Sequence, residues 1–302
     1  MNTPAPVRIF PERLGELDCL RIETPHGSAL MAPQGAQLLS YTPTGGKPLV
    51  WLSEQASFRA GVSVRGGVPV CWPWFGVYAR NPKSVRDSVN APEDAPSHGL
   101  VRGLDWQLAD PETGKDWAEL MFALDLEDGI GPWRHSARLA LTARFGKSLE
   151  LGFSITNTGS SPFTVSLALH TYLAVSDSRR IRIDGLQDKP YLDTARGWTQ
   201  LRQQGEIAIE EETDRIYQEV DRPIEVHDPD WGRTLRLAAS NSRSAVVWNP
   251  WIEKSARLSD FASDAWQRML CIETARIMDD VLTVEAGATE TVALAIQADT
   301  GD

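Results

Sequence analysis

The sequence predicts an all-β fold in which short strands form a sandwich or a barrel. Apolar and polar residues alternate along many short segments, as they do in strands with one buried face. These segments follow one another closely, and few windows show the apolar repeat and capping residues of a helix. Such folds commonly exceed about 200 residues as one domain. No linker, repeat or low-complexity tract divides the 302 residues, so we expect a single domain, 1–302.

The clearest strands lie in the middle of the chain. Every even position of Ala118–Leu126 is apolar, and every odd position of Leu149–Thr156 is apolar. A polar loop, 157–162, then leads into a second alternating run from Phe163, which predicts a hairpin. One short helix is expected within Glu253–Trp266. The remaining predicted strands are Leu20–Glu23, Leu139–Phe145, Ile181–Asp184, Leu235–Leu237, Val246–Trp248, Met269–Glu273 and Val292–Ile296.

Composition excludes several classes of protein. Lys and Arg number 30 against 41 Asp and Glu, a net charge of −11, which argues against nucleic acid or an anionic membrane as a partner. The longest uncharged apolar run, about 163–175, is too short to span a bilayer, and the first ten residues contain no secretory signal. Cys19, Cys71 and Cys271 are too few and too far apart for a disulfide framework. We therefore expect a cytoplasmic protein.

Several common catalytic motifs are missing. The sequence has neither a GxGxxG turn nor a P-loop, and Gly61–Arg65 lacks the final glycine of a nucleophile elbow. The five histidines are isolated and form no HExxH motif. We therefore expect no metal and no cofactor, which leaves acid–base chemistry or simple binding.

His170 is the first candidate catalytic residue. Phe163, Val165, Leu167 and Leu169 share one face of their strand, so His170 lies on the other face with small residues. A face of small residues leaves room for a ligand, with which a histidine can exchange protons. The alternative is a structural histidine that is hydrogen-bonded to a neighbouring strand.

Glu273 is the second candidate. It ends Met269–Glu273, a segment that is otherwise apolar on both faces, where a carboxylate needs a partner or a function. Burial raises the pKa of a carboxyl group and suits it to general-base catalysis near neutral pH. The alternative is a salt bridge at the end of a strand.

Two arginines form the third feature. Arg65 begins a segment with two glycines and several aromatic residues, and Arg102 ends Ser97–Arg102. We expect the glycines to let the backbone approach a ligand, and the guanidinium groups to bind a carboxylate or a phosphate. The alternative is two structural arginines stacked on tryptophans. The net charge bears on long-range attraction only and leaves capture of a small anion open. Core packing is the expected role of each tryptophan nearby, although any of them can offer a flat face to a sugar: Trp72, Trp74, Trp248 and Trp251.

The same segments resemble the hexose-6-phosphate mutarotase (glucose-6-phosphate 1-epimerase) branch of the aldose 1-epimerase family. Six stretches carry the resemblance, in order: Arg65–Gly76, Ser97–Arg102 with Trp106, Leu167–Tyr172, Asp214–Tyr217, Val246–Trp251 through Ser259–Phe261, and Cys271–Thr274. The resemblance implies a galactose-mutarotase-like β-supersandwich with few short helices and a site on a concave sheet face. It also implies a small sugar phosphate as ligand.

The resemblance assigns roles residue by residue. His170 is similar to the general acid of the family and Glu273 to its general base. Arg65, Ser97 and Arg102 match positions that bind the phosphorylated sugar, with His98 among them, and Asp214 matches a substrate-contacting carboxylate. Ser97 departs from the longer amide found in some relatives. The implied reaction is exchange of the α and β anomers of a hexose 6-phosphate through ring opening.

Two other functions stay open at this point. One is a mutarotase for unphosphorylated aldoses, which differs from the first by making no use of Arg65 and Arg102 for a phosphate. The other is a non-catalytic carbohydrate-binding sandwich, which would bind sugar without accelerating anomer exchange. We expect a monomer, because the sequence shows no obvious interface signature.

Overall fold

The computed structural model describes residues 6–300, so the two ends of the predicted 1–302 domain lie outside the described residues. The first strands are β1 (Arg8–Leu14), β2 (Leu17–Thr24), β3 (Gly27–Ala32), β4 (Gln37–Pro43), β5 (Val70–Cys71), β6 (Gln107–Leu108), β7 (Glu112–Thr113), β8 (Ala118–Leu126), β9 (Ala137–Phe145), β10 (Leu149–Asn157), β11 (Phe163–Val165) and β12 (Leu167–Leu169). The later strands are β13 (Tyr172–Ala174), β14 (Arg182–Asp184), β15 (Pro190–Asp193), β16 (Thr199–Arg202), β17 (Thr213–Tyr217), β18 (Ile224–Asp228), β19 (Arg233–Ser240), β20 (Ser244–Asn249), β21 (Met269–Arg276), β22 (Leu282–Val284) and β23 (Thr289–Thr300).

Helices are short and sit in the connections. The α-helices are α1 (Lys83–Val89) and α2 (Trp251–Ser255), and the single-turn 3-10 helices are Tyr78–Arg80, Pro229–Trp231, Ala265–Gln267 and Met278–Asp280. Among residues 6–300, no helix is both long and apolar enough to cross a membrane.

Two antiparallel sheets form the body of the protein. One has nine strands in the order β14-β18-β19-β23-β10-β9-β8-β6, with β7 also paired to β8. The other has eight strands in the order β16-β15-β17-β20-β21-β12-β5, with β13 also paired to β21. The meander β1–β4 continues this second sheet through isolated bridges such as Leu38 to Val68. The predicted all-β class is thereby confirmed.

The two faces of the eight-stranded sheet bury different sets of residues. Along β20, Ala245 and Val247 pack in the main core against the nine-stranded sheet, where Phe153 lies. Val246 and Trp248 point the other way, into a second apolar cluster. This alternation follows the two-residue period of a strand. The second face therefore lies outside the main core.

Arg233 of β19 ties the two sheets together near this face. Its side chain is 2% exposed and its Nε lies 3.5 Å from Asp228 Oδ2. Its Nη2 donates to the carbonyl of Ala174, the last residue of β13, at 2.6 Å. Another N–H donates to Pro48 O at 2.8 Å. Each donor compensates part of the cost of burying the charge.

Three predictions differ from the structure. The hairpin between Leu149–Thr156 and the run from Phe163 is wrong, because β10 pairs with β9 and β23 while β11 pairs with β22. The run from Phe163 is also not one strand, since it divides into β11 and β12 and changes sheet. The helix expected within Glu253–Trp266 is only α2, which begins earlier, followed by a 3-10 turn. Alternation of apolar and polar residues indicates which side chains face inward, but it does not indicate which strands pair with each other.

Candidate active site

His170 and Glu273 face each other because of strand register. In the β12–β21 pair Leu169 lies opposite Thr274, and in the β13–β21 pair Tyr172 lies opposite Cys271. The same register, continued across the gap between β12 and β13, places His170 opposite Glu273. Their side chains meet, with His170 Nε2 3.4 Å from Glu273 Oε1. The structure thus brings together two residues that are far apart in sequence.

The gap between the two strands also orients the histidine. His170 donates its backbone N–H to Pro69 O at 3.0 Å, while Thr171 donates back to Leu169 O at 2.9 Å. The imidazole stacks on the ring of Tyr172, with centroids 4.7 Å apart and planes 9° from parallel. The face of small residues predicted beside His170 is present in part. Ala168 is one of its members and packs in the second apolar cluster.

A cavity of about 450 Å³ opens above this pair. Its volume falls in the range of small-molecule sites. Six of the seven predicted site residues line it, all but Arg102: Arg65, Ser97, His98, His170, Asp214 and Glu273. Aromatic side chains of Phe75, Tyr172, Trp198 and Trp248 supply apolar walls. Flat apolar walls with a few polar groups suit a sugar ring.

Burial dominates the electrostatics of the pair. The side chains of His170 and Glu273 are 11% and 2% exposed. Burial lowers the pKa of His170 well below its usual value, and the charges of His98, Arg102 and Arg65 lower it further. Burial raises the pKa of Glu273 well above its usual value, and Asp214 raises it further. Both shifts favour the un-ionised pair, a neutral imidazole beside a neutral carboxylic acid.

His98 is held as a neutral hydrogen-bond donor. Its Nδ1 lies 3.3 Å from the backbone N–H of Gly76 and must accept from it, so the ring proton is on Nε2. Burial, followed by the charges of Arg102 and Arg65, lowers the pKa of His98 to about 3. Its ring lies 5.3 Å from that of His170. His98 therefore presents an N–H donor to the cavity across the neutral pH range.

The two arginines are placed differently. Arg65 lines the cavity and donates from Nη1 to Tyr172 Oη at 3.3 Å, and no carboxylate pairs with it among the described residues. Arg102 is not among the lining residues, and its Nη2 donates to the backbone oxygen of Ser97 at 2.5 Å. The alternative of structural arginines stacked on tryptophans is wrong for this pair within residues 6–300, since neither guanidinium lies over a tryptophan ring there.

The glycines after Arg65 have another role than the one predicted. Gly67 has φ of +69°, and a Cβ there would lie 2.3 Å from Leu38 O. Gly66 is likewise pressed against the backbone of Leu52. The glycines therefore let this segment approach neighbouring backbone, and the expectation that they admit a ligand is corrected.

Asp214 forms the far wall together with Lys254. Asp214 lies opposite Trp248 in the β17–β20 pair, and its side chain is 27% exposed. Lys254 Nζ lies 3.6 Å from Asp214 Oδ2 and 2.8 Å from Glu212 Oε1. Burial raises the pKa of Asp214, and the Lys254 charge opposes that rise.

Asn249 explains how Lys254 reaches the cavity. The buried amide of Asn249 donates to Trp266 O at 2.8 Å and to Met269 O at 2.9 Å. Its Oδ1 accepts from the N–H of Trp251 at 2.9 Å, which fixes the start of α2 and with it Lys254. Trp72 and Trp74 are in the main core and Trp251 packs on Trp266, so of the four predicted tryptophans only Trp248 lines the cavity.

Sequence reasoning missed several lining residues. They come from connections without a periodic pattern: Phe75, Arg80, Thr194, Trp198, Lys254 and Met278. Arg80 lies over the ring of Trp198, 5.2 Å from its centroid. Two of them had a usable signal, since Phe75 lies inside Arg65–Gly76 and Lys254 inside the stretch from Val246 to Phe261, both already singled out.

Cys271 is the one further donor beside the pair. Its Sγ and donor atoms of His170 and Glu273 all lie within 4.8 Å of one another. Burial raises the pKa of the Cys271 thiol well above its usual value, and the charge of Glu273 adds to that rise. The metal-binding form of cysteine is the thiolate, so we assign no metal ligands here.

The fold is shared with solved mutarotase-like proteins. A Salmonella typhimurium protein described as a "putative mutarotase" superposes with a TM-score of 0.86 and 27% identity, covering 100% of this chain and 96% of that one. A galactose mutarotase-like protein from Clostridium acetobutylicum superposes with a TM-score of 0.76 at 16% identity, covering 98% and 99% of the two chains. The second likeness concerns the fold alone. The predicted galactose-mutarotase-like sandwich is therefore confirmed.

The sequence matches the family model for aldose 1-epimerase over residues 18–297, and the chain belongs to that family. An Escherichia coli (strain K12) protein named "Putative glucose-6-phosphate 1-epimerase" is 31% identical over 265 residues, or 87% of this chain and 84% of the relative. The chain is therefore an isomerase of the aldose 1-epimerase, or mutarotase, type. This finding sets aside the non-catalytic binding module.

Proposed function

We propose that the chain exchanges the α and β anomers of a hexose 6-phosphate, with glucose 6-phosphate as the first candidate. The observation that carries the proposal is Arg65, a guanidinium group that shares one cavity with His170 and Glu273 and has no carboxylate partner among residues 6–300. A guanidinium group left free in a protein of net charge −11 is suited to an anionic part of the substrate. The printed name of the Escherichia coli relative agrees with this choice.

The remaining contacts suit the rest of the sugar. Ser97 and the Nε2–H of His98 offer a hydroxyl and a donor beside Arg65, and Asp214 offers an acceptor on the opposite wall. Arg102 contributes its charge from just behind Ser97, where it donates to the Ser97 carbonyl. The aromatic walls exclude water from the ring. These side chains account for binding without a cofactor.

Ring opening needs one proton removed and one supplied. In the proposed mechanism the Glu273 carboxylate takes the proton of the anomeric hydroxyl, while protonated His170 gives a proton to the ring oxygen. The bond between C1 and the ring oxygen breaks, and C1 becomes an aldehyde. Rotation about C1–C2 turns the other face of the aldehyde toward the hydroxyl. Reclosure reverses both proton transfers and gives the other anomer.

Exchange NMR tests this function directly. The rates of anomer exchange are measured for glucose 6-phosphate and glucose in wild type, Arg65→Gln and Arg257→Gln, which alters an exposed arginine that is not among the cavity-lining residues. We expect a higher kcat/KM for the phosphorylated sugar, a loss of about 10- to 100-fold of that preference in Arg65→Gln, and no change in Arg257→Gln. Equal turnover of the two sugars by the wild type would refute the proposal and favour the mutarotase for unphosphorylated aldoses.

A further inference from the structure

The charges around the catalytic pair are placed asymmetrically. The cations Arg65 and Arg102 act on His170, while the anion Asp214 acts on Glu273. A positive charge near the imidazole disfavours imidazolium, and a negative charge near the carboxyl disfavours carboxylate. Both therefore oppose the ionised pair, the form that the mechanism requires. Burial and these charges thus favour the un-ionised pair over the form that the mechanism requires.

Arg65 is linked to His170 through the side chain of Tyr172. Its Nη1 donates to Tyr172 Oη at 3.3 Å, and the Tyr172 ring stacks on the imidazole at 4.7 Å. A ring face attracts a cation, and a hydrogen bond donated to the phenol oxygen draws electron density away from that face. Arg65 therefore weakens the stabilisation that Tyr172 can give to an imidazolium. Tyr172 is a positioning residue in this arrangement.

Several elements place charged or titratable groups next to the His170 imidazole. Charged or titratable neighbours are Arg65, His98, Arg102, Tyr172, Cys271 and Glu273. Only Glu273 lies within reach of Nε2 for direct proton transfer, and His170 Nδ1 and Glu273 Oε2 have no partner among the described residues. One proton can thus move between these two residues without another protein group taking part.

We propose that the substrate's phosphate dianion, bound at Arg65, moves this proton from Glu273 Oε1 to His170 Nε2 and so converts the neutral pair into the working base and acid. The inference rests on the proposed function. The O–H bond of the carboxylic acid breaks and an N–H bond forms on the imidazole, so the proton count of the site does not change. The dianion reverses the sign of the charge next to His170 and draws Arg65 away from Tyr172 Oη. An unphosphorylated sugar brings no such charge and lacks this effect.

Nitrogen NMR of the ¹⁵N-histidine-labelled protein tests the transfer. The ligands are 1,5-anhydroglucitol 6-phosphate, which has no anomeric hydroxyl and cannot react, and 1,5-anhydroglucitol as its matched control. The His170 signals are assigned with His170→Gln. At pH 7.5 we expect the saturating phosphorylated analogue to raise the protonated fraction of His170 by about tenfold or more, a shift of one pKa unit or more. Saturating 1,5-anhydroglucitol leaves the imidazole neutral.

Each other outcome overturns a defined step. If the phosphorylated analogue binds more tightly than the control and His170 stays neutral, the proton transfer is wrong while the proposed function stands. If both analogues protonate His170 equally, the dianion has no special role and the inference is wrong. If the phosphorylated analogue binds no better than the control, the proposed function itself fails.

Arg65→Gln supplies a second test in the empty protein. Removing the cation should let His170 titrate at a higher pH than in wild type, although this variant binds the phosphorylated analogue more weakly. Arg257→Gln keeps the wild-type titration. Tyr172→Phe removes the oxygen that Arg65 contacts and keeps the stacked ring, so it should move the titration in the same direction as Arg65→Gln, by a smaller amount. An unchanged His170 titration in Arg65→Gln overturns the coupling.

Discussion

Removing both members of the His170–Glu273 pair should cost no more activity than removing one. Each single change, His170→Ala or Glu273→Gln, takes away one end of a 3.4 Å contact whose side chains are 11% and 2% exposed. Positioned acid–base groups contribute about 10²- to 10⁴-fold, so we take a loss of about 10³, or about 4 kcal/mol, for each single variant. Independent groups would give about 10⁶ for the double variant. Two groups that exchange one proton act as a unit, and we expect about 10³.

The assay is saturation-transfer or exchange NMR on glucose 6-phosphate, with the uncatalysed exchange subtracted. Circular dichroism and thermal unfolding establish that each variant is folded. The reasoning is refuted if the free-energy losses of the two single variants add in the double variant, since the residues would then act separately. A wild-type rate in either folded single variant would remove that residue from the mechanism.

Three further predictions concern stability and substrate positioning. The pKa of His98 is about 3 in the fold and near 6.5 when unfolded, so its contribution to stability is present above pH 6.5 and lost as the pH falls toward 3. Urea unfolding should show that wild type loses about 2 kcal/mol more than His98→Gln between pH 6.5 and 4.5, and equal losses would contradict this. Arg233→Met should cost about 3 to 5 kcal/mol in the same assay, because it leaves the buried Asp228 carboxylate without a cation and with hydrogen bonds from Ser176 alone. Arg8→Met in an exposed pair should cost less than about 1 kcal/mol. Lys254→Met should raise KM several-fold with little change in kcat, because Asp214 loses the cation beside it, whose charge opposes the rise of its pKa. Lys254→Arg should restore KM, and a fall in kcat alone would point to another role.

The sequence predicts the strands far better than their partners. Ala118–Leu126 was predicted with the bounds of β8, because one of its faces is buried and the other is not. The hairpin from Leu149–Thr156 failed for the opposite reason, since β10 is buried between two partners that come from before and after it in the chain. A local alternating pattern cannot identify a strand partner that lies more than a hundred residues away in the sequence. Strand pairing of that kind is settled by packing of the whole sheet.

The catalytic pair shows the same limit on a smaller scale. Sequence pattern alone picked out His170 for its small-residue face and Glu273 for its apolar surroundings, and each had an ordinary structural alternative. What distinguishes them from ordinary buried residues is that they meet, and their meeting depends on the register of β21 against β12 and β13. A slip of one residue would turn Glu273 into the main core. Family resemblance supplied the pairing that pattern could not.

Net charge illustrates how a whole-chain quantity differs from a local one. A charge of −11 argues against a nucleic-acid partner, yet the cavity has Arg65 and Arg80 on its walls without carboxylate partners among residues 6–300. Exposed charges beyond about 8 to 10 Å are screened by salt, whereas a guanidinium on the cavity wall acts at contact. The acidic surface therefore governs how fast an anion approaches, and these few arginines govern whether it stays. If the dianion also sets the protonation of His170, Arg65 both captures the substrate and disfavours the working form of the pair until the dianion binds.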